Sequence, residues 1–378
     1  MKEQSRRLVS YRWVARLWWV AAIVTIVLLA FGLKLLGTGL KELVGDRVSV
    51  LFAFATNPAL GLLIGVLATA LVQSSSAVTS LVVGLVATGM PVTTAIPIVM
   101  GANIGTTITN TLLSLGQAGD RDRFERAFAA ATVHDFFNIF CVALFLPLEI
   151  STGFLTRLSG SFANLIRDWG LTFESPVGLK TLISPLVKAT TALTAGLSPV
   201  LHGAVWLGLG LAIVLLAIAM LAKTLTFAIE RFGNGLFGAI GDRPLLAMAT
   251  GAGITTIVQS SSTTTSLMVP LAASGAWRLE AIYPFTLGAN LGTCVTAFLA
   301  ATAIAGNASL VALQIAIAHL LHNAIGVAVV YGLPVLRRVP LTGARWLARS
   351  ARSPWAVAGY VLGVFFGLPG LAIVVSLL

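Results

Sequence analysis

The stretch Gln73-Ser-Ser-Ser-Ala-Val-Thr-Ser80 recurs as Gln259-Ser-Ser-Ser-Thr-Thr-Thr-Ser266, identical at six of eight positions and 186 residues further on. Gly101-Ala-Asn-Ile-Gly-Thr106 recurs as Gly288-Ala-Asn-Leu-Gly-Thr293 at an offset of 187, and His134-x-x-x-Asn138 echoes as His319-x-x-x-Asn323 at 185. Three echoes in one order at a nearly constant offset mean a duplicated unit, so the fold must accommodate two copies of one arrangement.

Both copies lie in apolar sequence. Of 378 residues, 57% are hydrophobic and 10% charged, and mean hydropathy is +0.95, which excludes an ordinary water-soluble domain. About 20 mostly apolar helical residues cross a bilayer core, a length met at 17–33, 205–222 and 356–378. In the first copy the pattern predicts helices at 17–44, 58–72, 75–89, 93–116 and 124–150. The pieces flanking Gln73 are too short to cross alone, so they predict a re-entrant hairpin. Short interrupted segments at matching places in two halves point to a transporter's binding site.

A hairpin that enters and leaves on one side leaves three crossings per unit, an odd number, so the second copy starts from the opposite face. The expected fold is an all-α polytopic membrane protein. It has two inverted-topology repeats, each with a re-entrant helical hairpin and three full-length membrane helices, and one extra C-terminal helix. The expected segments are a cytoplasmic N-terminus (1–16), first repeat (17–150), extracytoplasmic linker (151–198), second repeat (199–332), basic cytoplasmic loop (333–354) and C-terminal membrane helix (355–378). In the linker, a helical stretch is expected near 185–195.

The net charge of +11 fits this topology and not a nucleic-acid partner, because the basic residues sit at the ends of apolar segments. Lys2 to Arg16, then Arg121, Arg123 and Arg126, then Lys223, Arg231 and Arg243, then Arg337 to Arg352 all fall on one side, as the positive-inside rule asks. The first span reads as an uncleaved anchor with its N-terminus inside. Cys141 and Cys294 lie in apolar runs and read as packing residues.

Polar groups in a bilayer core need partners or a wet cavity. At a helix break, free N–H groups and the positive dipole end favour an anion, while free carbonyls and side-chain oxygens favour a small hard cation. Ser74, Ser75, Ser76, Ser260, Ser261 and Ser262 add hydroxyl donors for a tetrahedral oxyanion. Gln73 and Gln259 orient substrate or ligate sodium. The glycine-containing segments can unwind and expose carbonyls, with Asn103, Thr106, Asn290, Thr293 and Thr296 as further oxygen ligands. The alternative is that these hydroxyls and glycines serve only helix packing. Asp135 is an intramembrane carboxylate whose natural partner is a cation; Leu320 stands at the matching position, so one acidic site is expected. His134 and His319 read as helix hydrogen-bonders, with proton relay as the alternative.

These residues resemble the type II sodium-phosphate cotransporter family, marked by paired Gln-Ser-Ser-Ser elements. Further likeness lies in Asn103-Ile-Gly-Thr-Thr-Ile-Thr-Asn-Thr111, Gln117-Ala-Gly-Asp-Arg121 and Arg126-Ala-Phe-Ala-Ala-Ala-Thr-Val-His-Asp-Phe-Phe-Asn138. The resemblance implies a transporter, not an enzyme, importing inorganic phosphate with sodium ions as co-substrate by alternating access around a midplane site. It implies that both Gln-Ser-Ser-Ser elements hold phosphate. Asp135, Asn138, Gln117, Asp120, Thr106 and Thr296 would contribute to sodium sites, and the acid at 135 marks the electrogenic kind. A bacterial cytoplasmic membrane and a homodimer are implied likewise. Importing a phosphate dianion against 100 mV costs about 4.6 kcal/mol, at about 2.3 kcal/mol per charge, which three sodium ions offset. Rival readings are a transporter of sulfate, a carboxylate or a nucleoside, an intramembrane serine hydrolase, and a passive anion channel.

Overall fold

The computed structural model describes residues 57–169, 177–232, 243–304, 306, 308–351 and 353–377, with parts of 24–43. The segment 1–16 and much of the expected span at 17–44 lie outside the described residues. No strand occurs among the described residues.

Helix starts follow the caps written in the sequence. Asn57 caps α1 (Pro58–Val72), accepting from the Ala59 N–H at 3.0 Å with Pro58 in the first turn, where a missing N–H costs nothing. Helix α2 (Ser75–Ala87) follows, then α3 (Val92–Gly105) and α4 (Ile108–Ser114). Asp120 caps the long α5 (Arg121–Thr152) through the Asp122 and Arg123 N–H groups.

At Gly153 the chain turns sharply with φ +63, a left-handed conformation that glycine adopts without steric cost. The buried Glu149 carboxylate accepts from the N–H of Leu155 (2.6 Å) and the hydroxyl of Thr156 (2.5 Å). This satisfies first-turn donors of α6 (Phe154–Asp168). The region expected as a linker is therefore largely helical: α6 packs against the second half through Gly160 and Gln314, whose amide donates to the Thr156 carbonyl, and α7 (Val177–Thr194) follows.

The second half runs α8 (Pro199–Phe232), α9 (Pro244–Val258), α10 (Ser261–Ser266), α11 (Met268–Ala273), α12 (Leu279–Thr302) and α13 (Ala308–Gly326), the last extended by a widened turn at Val327–Tyr331. The segment expected as a basic loop is instead α14 (Pro334–Ser350). Its apolar residues recur at helical spacing, burying Pro340, Leu341, Ala344 and Ala348, and Gly343 sits directly against the Phe136 ring of α5. Helix α15 (Pro354–Val361) continues through a widened turn into α16 (Leu368–Leu377). Among the described residues, five helical stretches are long and apolar enough to cross a membrane: Val92–Gln117, Arg121–Thr152, Leu279–Thr302, Ala308–Tyr331 and Trp355–Ser376.

In both halves the helix before Gln-Ser-Ser-Ser lies backbone to backbone on the span after it. A Cβ on Gly101 would stand 1.9 Å from the Leu62 carbonyl oxygen, and one on Gly288 would stand 1.8 Å from that of Met248. These glycines therefore permit close helix approach. The local unwinding expected around them occurs only in the first half, as the interruption at Thr106–Thr107; α12 runs unbroken past Gly288 and Gly292.

Candidate functional site

Gln73 ends α1 at φ 58, ψ 26, and Gln259 ends α9 at φ 55, ψ 25; they are the only non-glycine residues with positive φ among the described residues. An L-residue rarely takes this conformation without compensation, and such strain gathers at functional positions. Each glutamine is held from its own helix: its backbone N–H donates to Thr69 or Thr255, and its side-chain amide to Ala70 or Thr256. The next serine returns to extended backbone and caps the following helix. Ser74 Oγ accepts from the Ala77 N–H, and Ser260 Oγ from the Thr263 N–H, both at 3.2 Å.

Each break thus ends one helix and starts another within two residues. The first-turn N–H groups of Ser75, Ser76, Ser261 and Ser262 have no intrahelical acceptor. Ser75 and Ser261 are buried, and their hydroxyls have no hydrogen-bond partner among the described residues. The third serines differ: Ser76 Oγ donates across to the Gln259 carbonyl at 3.2 Å, joining the two breaks, while Ser262 lies beside Ser260.

A threonine completes each break. Thr109 donates to Gln73 Oε1 at 2.8 Å, and Thr296, 187 residues later, donates to Gln259 Oε1 at 2.6 Å and lies 3.4 Å from Ser76 Oγ. Thr109 is absent from the residues singled out by sequence; its equivalence to Thr296 was legible in the duplication. Thr106 and its equivalent Thr293 instead donate to the carbonyls of Ala102 and Ala289 in their own helices.

Beside the breaks, four buried asparagines form a reciprocal network. Asn103 donates to Asn323 Oδ1 and Asn290 donates to Asn138 Oδ1, both at 2.8 Å. Asn138 donates to the Asn103 carbonyl and Asn323 to that of Asn290. His319 bonds Asn103 Oδ1 at 3.1 Å. His134, its equivalent, faces Asn290 without reaching hydrogen-bond geometry. Asn323 appeared in the third echo yet was not singled out as a site residue.

Asp135 is fully buried. Its carboxylate accepts from the Thr107 hydroxyl, in the interruption between α3 and α4, and from the Tyr360 hydroxyl at 3.1 Å. Tyr360 belongs to the C-terminal helix, outside the duplication. Gln117 and Asp120 stand apart from this assembly: Gln117 ends a short turn, and the exposed Asp120 caps α5. Arg126 reaches the second half, donating to the Ala272 and Ala273 carbonyls at the end of α11.

Comparison with known proteins places this assembly in a family. The sequence matches the Na+/Pi-cotransporter family over residues 28–165 and 213–336, more than two thirds of the chain and split as the duplication is. It is 35% identical to sodium-dependent phosphate transport protein 2B of Homo sapiens, with 87% of this chain and 61% of the relative aligned. It is 34% identical to transport protein 2A of Rattus norvegicus and 35% identical to that of Ovis aries, each with 86% of this chain and 62% of the relative aligned. The chain thus spans about three fifths of the length of the curated relatives it matches. No solved structure gives a significant match. On the family match and the apolar helices together, this chain belongs to the Na+/Pi-cotransporter family and is a multi-pass membrane protein.

Proposed function

We propose that the chain is a sodium-coupled secondary transporter that imports inorganic phosphate by alternating access, built from two inverted repeats whose Gln-Ser-Ser-Ser breaks are re-entrant hairpin tips meeting near the membrane midplane. The observation that carries this reading is the contact of the two matching breaks through Ser76 and the Gln259 carbonyl. It is supported by the names of the relatives, which are sodium-dependent phosphate transporters.

The chemistry follows from the free groups. Phosphate is held by the first-turn N–H groups and dipole ends of α2 and of the helix begun at Ser261, with hydroxyls from Ser75 and Ser261 and orientation from Gln73 and Gln259. Ser74 and Ser260 use their oxygens as caps and keep their O–H groups to donate.

Sodium is the co-substrate. The Asp135 carboxylate, desolvated and hydrogen-bonded by Thr107 and Tyr360, requires a compensating cation, which makes transport electrogenic in this reading. The carbonyls and amides of Asn103, Asn138 and Asn290 supply further oxygens when their network opens. Thr293 and Thr106 contribute only if they release their own helices, and Gln117 and Asp120 act at the entrance. The membrane is the cytoplasmic membrane of a bacterium, with the basic clusters inside.

Uptake of labelled phosphate into proteoliposomes, under an inward sodium gradient against an equal potassium gradient, tests the proposal. Sodium-dependent accumulation inhibited by arsenate and not by sulfate is expected. Equal uptake under both gradients would mean a passive path, and competition by sulfate another substrate.

A further inference from the structure

Away from the helix breaks, α14 and the ends of α12 and α13 wall a hollow of about 490 Å³. Arg337, Arg338 and Arg345 line it with Glu280, Tyr283 and Tyr331. Glu280 is paired with Arg345. Arg337 lies 5.2 Å over the Tyr331 ring, and neither Arg337 nor Arg338 has a carboxylate partner among the described residues. The lining therefore carries an excess of positive charge.

A second observation points to a ligand. Tyr283 is 1% exposed, and its hydroxyl makes no hydrogen bond. A buried hydroxyl without a partner costs stability unless something supplies the acceptor. Tyr283 is one of the residues that line the basic hollow, and its hydroxyl is closed off from solvent beneath that lining.

The outer face of α14 narrows the source. Val335, Val339 and Trp346 are exposed among Arg338 and Arg349, the mixture that lays a helix in a membrane interface with its apolar residues among acyl chains. We propose that this hollow binds a phosphate-bearing anion, with the headgroup of an anionic phospholipid as the source its surroundings fit. Arg337 and Arg338 meet the oxyanion by charge-assisted hydrogen bonds. The Tyr283 hydroxyl donates to it once the lining side chains over it part.

The test is native mass spectrometry of the full chain in neutral detergent, titrated with phosphatidylglycerol or phosphatidylcholine. Comparison is made with Arg337→Gln/Arg338→Gln and with Tyr283→Phe, which keeps the ring and so the packing. The wild type should retain phosphatidylglycerol about tenfold over phosphatidylcholine, the scale of one or two charge-assisted hydrogen bonds. The double variant should lose that preference and Tyr283→Phe should weaken it. Adding millimolar inorganic phosphate separates the sources: displacement of the lipid from wild type assigns the hollow to free phosphate, and persistence assigns it to the headgroup. Equal retention of the two lipids by wild type, or a preference that survives in the double variant, would overturn the proposal. So would a Tyr283→Phe variant that melts higher while retaining lipid unchanged, since its hydroxyl would then have no ligand to meet.

Discussion

Ser76 donates its hydroxyl to the backbone carbonyl of Gln259 at 3.2 Å, so the two helix breaks, 183 residues apart between these atoms, are joined by a side chain of one copy and the main chain of the other. The link is not reciprocal: Ser262, the equivalent serine, turns to Ser260. Ser76→Ala should therefore raise the half-saturating phosphate concentration about fivefold, the worth of one buried hydrogen bond of about 1 kcal/mol. Ser262→Ala should do less. Initial uptake rates against phosphate concentration measure both.

The two threonines that hold the glutamines differ in surroundings. Thr296 and Gln259 are buried, whereas Gln73 is exposed to solvent that replaces a lost donor. Thr296→Val is expected to weaken phosphate dependence by about fivefold and Thr109→Val by less than about twofold, because water satisfies the exposed carbonyl. Equal effects in the same uptake assay would contradict this.

Asp135 separates charge from geometry. In Asp135→Asn one of the Thr107 and Tyr360 hydroxyls still donates to the amide oxygen and the other turns to accept from the amide N–H, while the charge is gone, so transport should continue with fewer sodium ions per cycle and a reduced current. Tyr360→Phe retains the charge and loses one bond, shifting the half-saturating sodium concentration by about threefold to tenfold. Sodium titrations under voltage clamp read both.

The asparagine network predicts an asymmetry. Asn103→Ala leaves His319 without its partner and Asn323 Oδ1 with only the 3.4 Å bond from Asn290, whereas Asn290→Ala strips Asn138 Oδ1 and that longer bond to Asn323. The first should cost about 2 kcal/mol and the second about 1 kcal/mol, at the modest scale of hydrogen bonds inside membrane proteins. Thermal unfolding in detergent should rank them in that order.

A methyl group separates close packing from helix propensity. Gly288→Ala drives a Cβ into the Met248 carbonyl, so helices α9 and α12 must part, at about 3 kcal/mol or more. Gly253, also in α9, has open space around it, and Gly253→Ala should stabilise by up to about 1 kcal/mol. Folded yield and melting temperature of the two variants should move in opposite directions.

The sequence alone carried whatever depends on neighbours along the chain. Apolar runs interrupted at Gln73 placed α1 at 58–72 and the start of α2 at Ser75, and the duplication paired Gln73 with Gln259 before either had a conformation. Two regions that lack long apolar runs, 154–168 and 334–350, fall within the expected linker (151–198) and basic loop (333–354). They are amphipathic helices stabilised by packing on other elements, which hydropathy averaged along the chain does not reveal. What only the tertiary structure decided is which side chains meet: Ser76 with Gln259, Asn103 with Asn323, Tyr360 with Asp135, and Arg126 with the end of α11. These contacts depend on how each helix is rotated and where its neighbours cross it. Those quantities are set by close approach at glycines such as Gly101 and Gly288, not by local spacing.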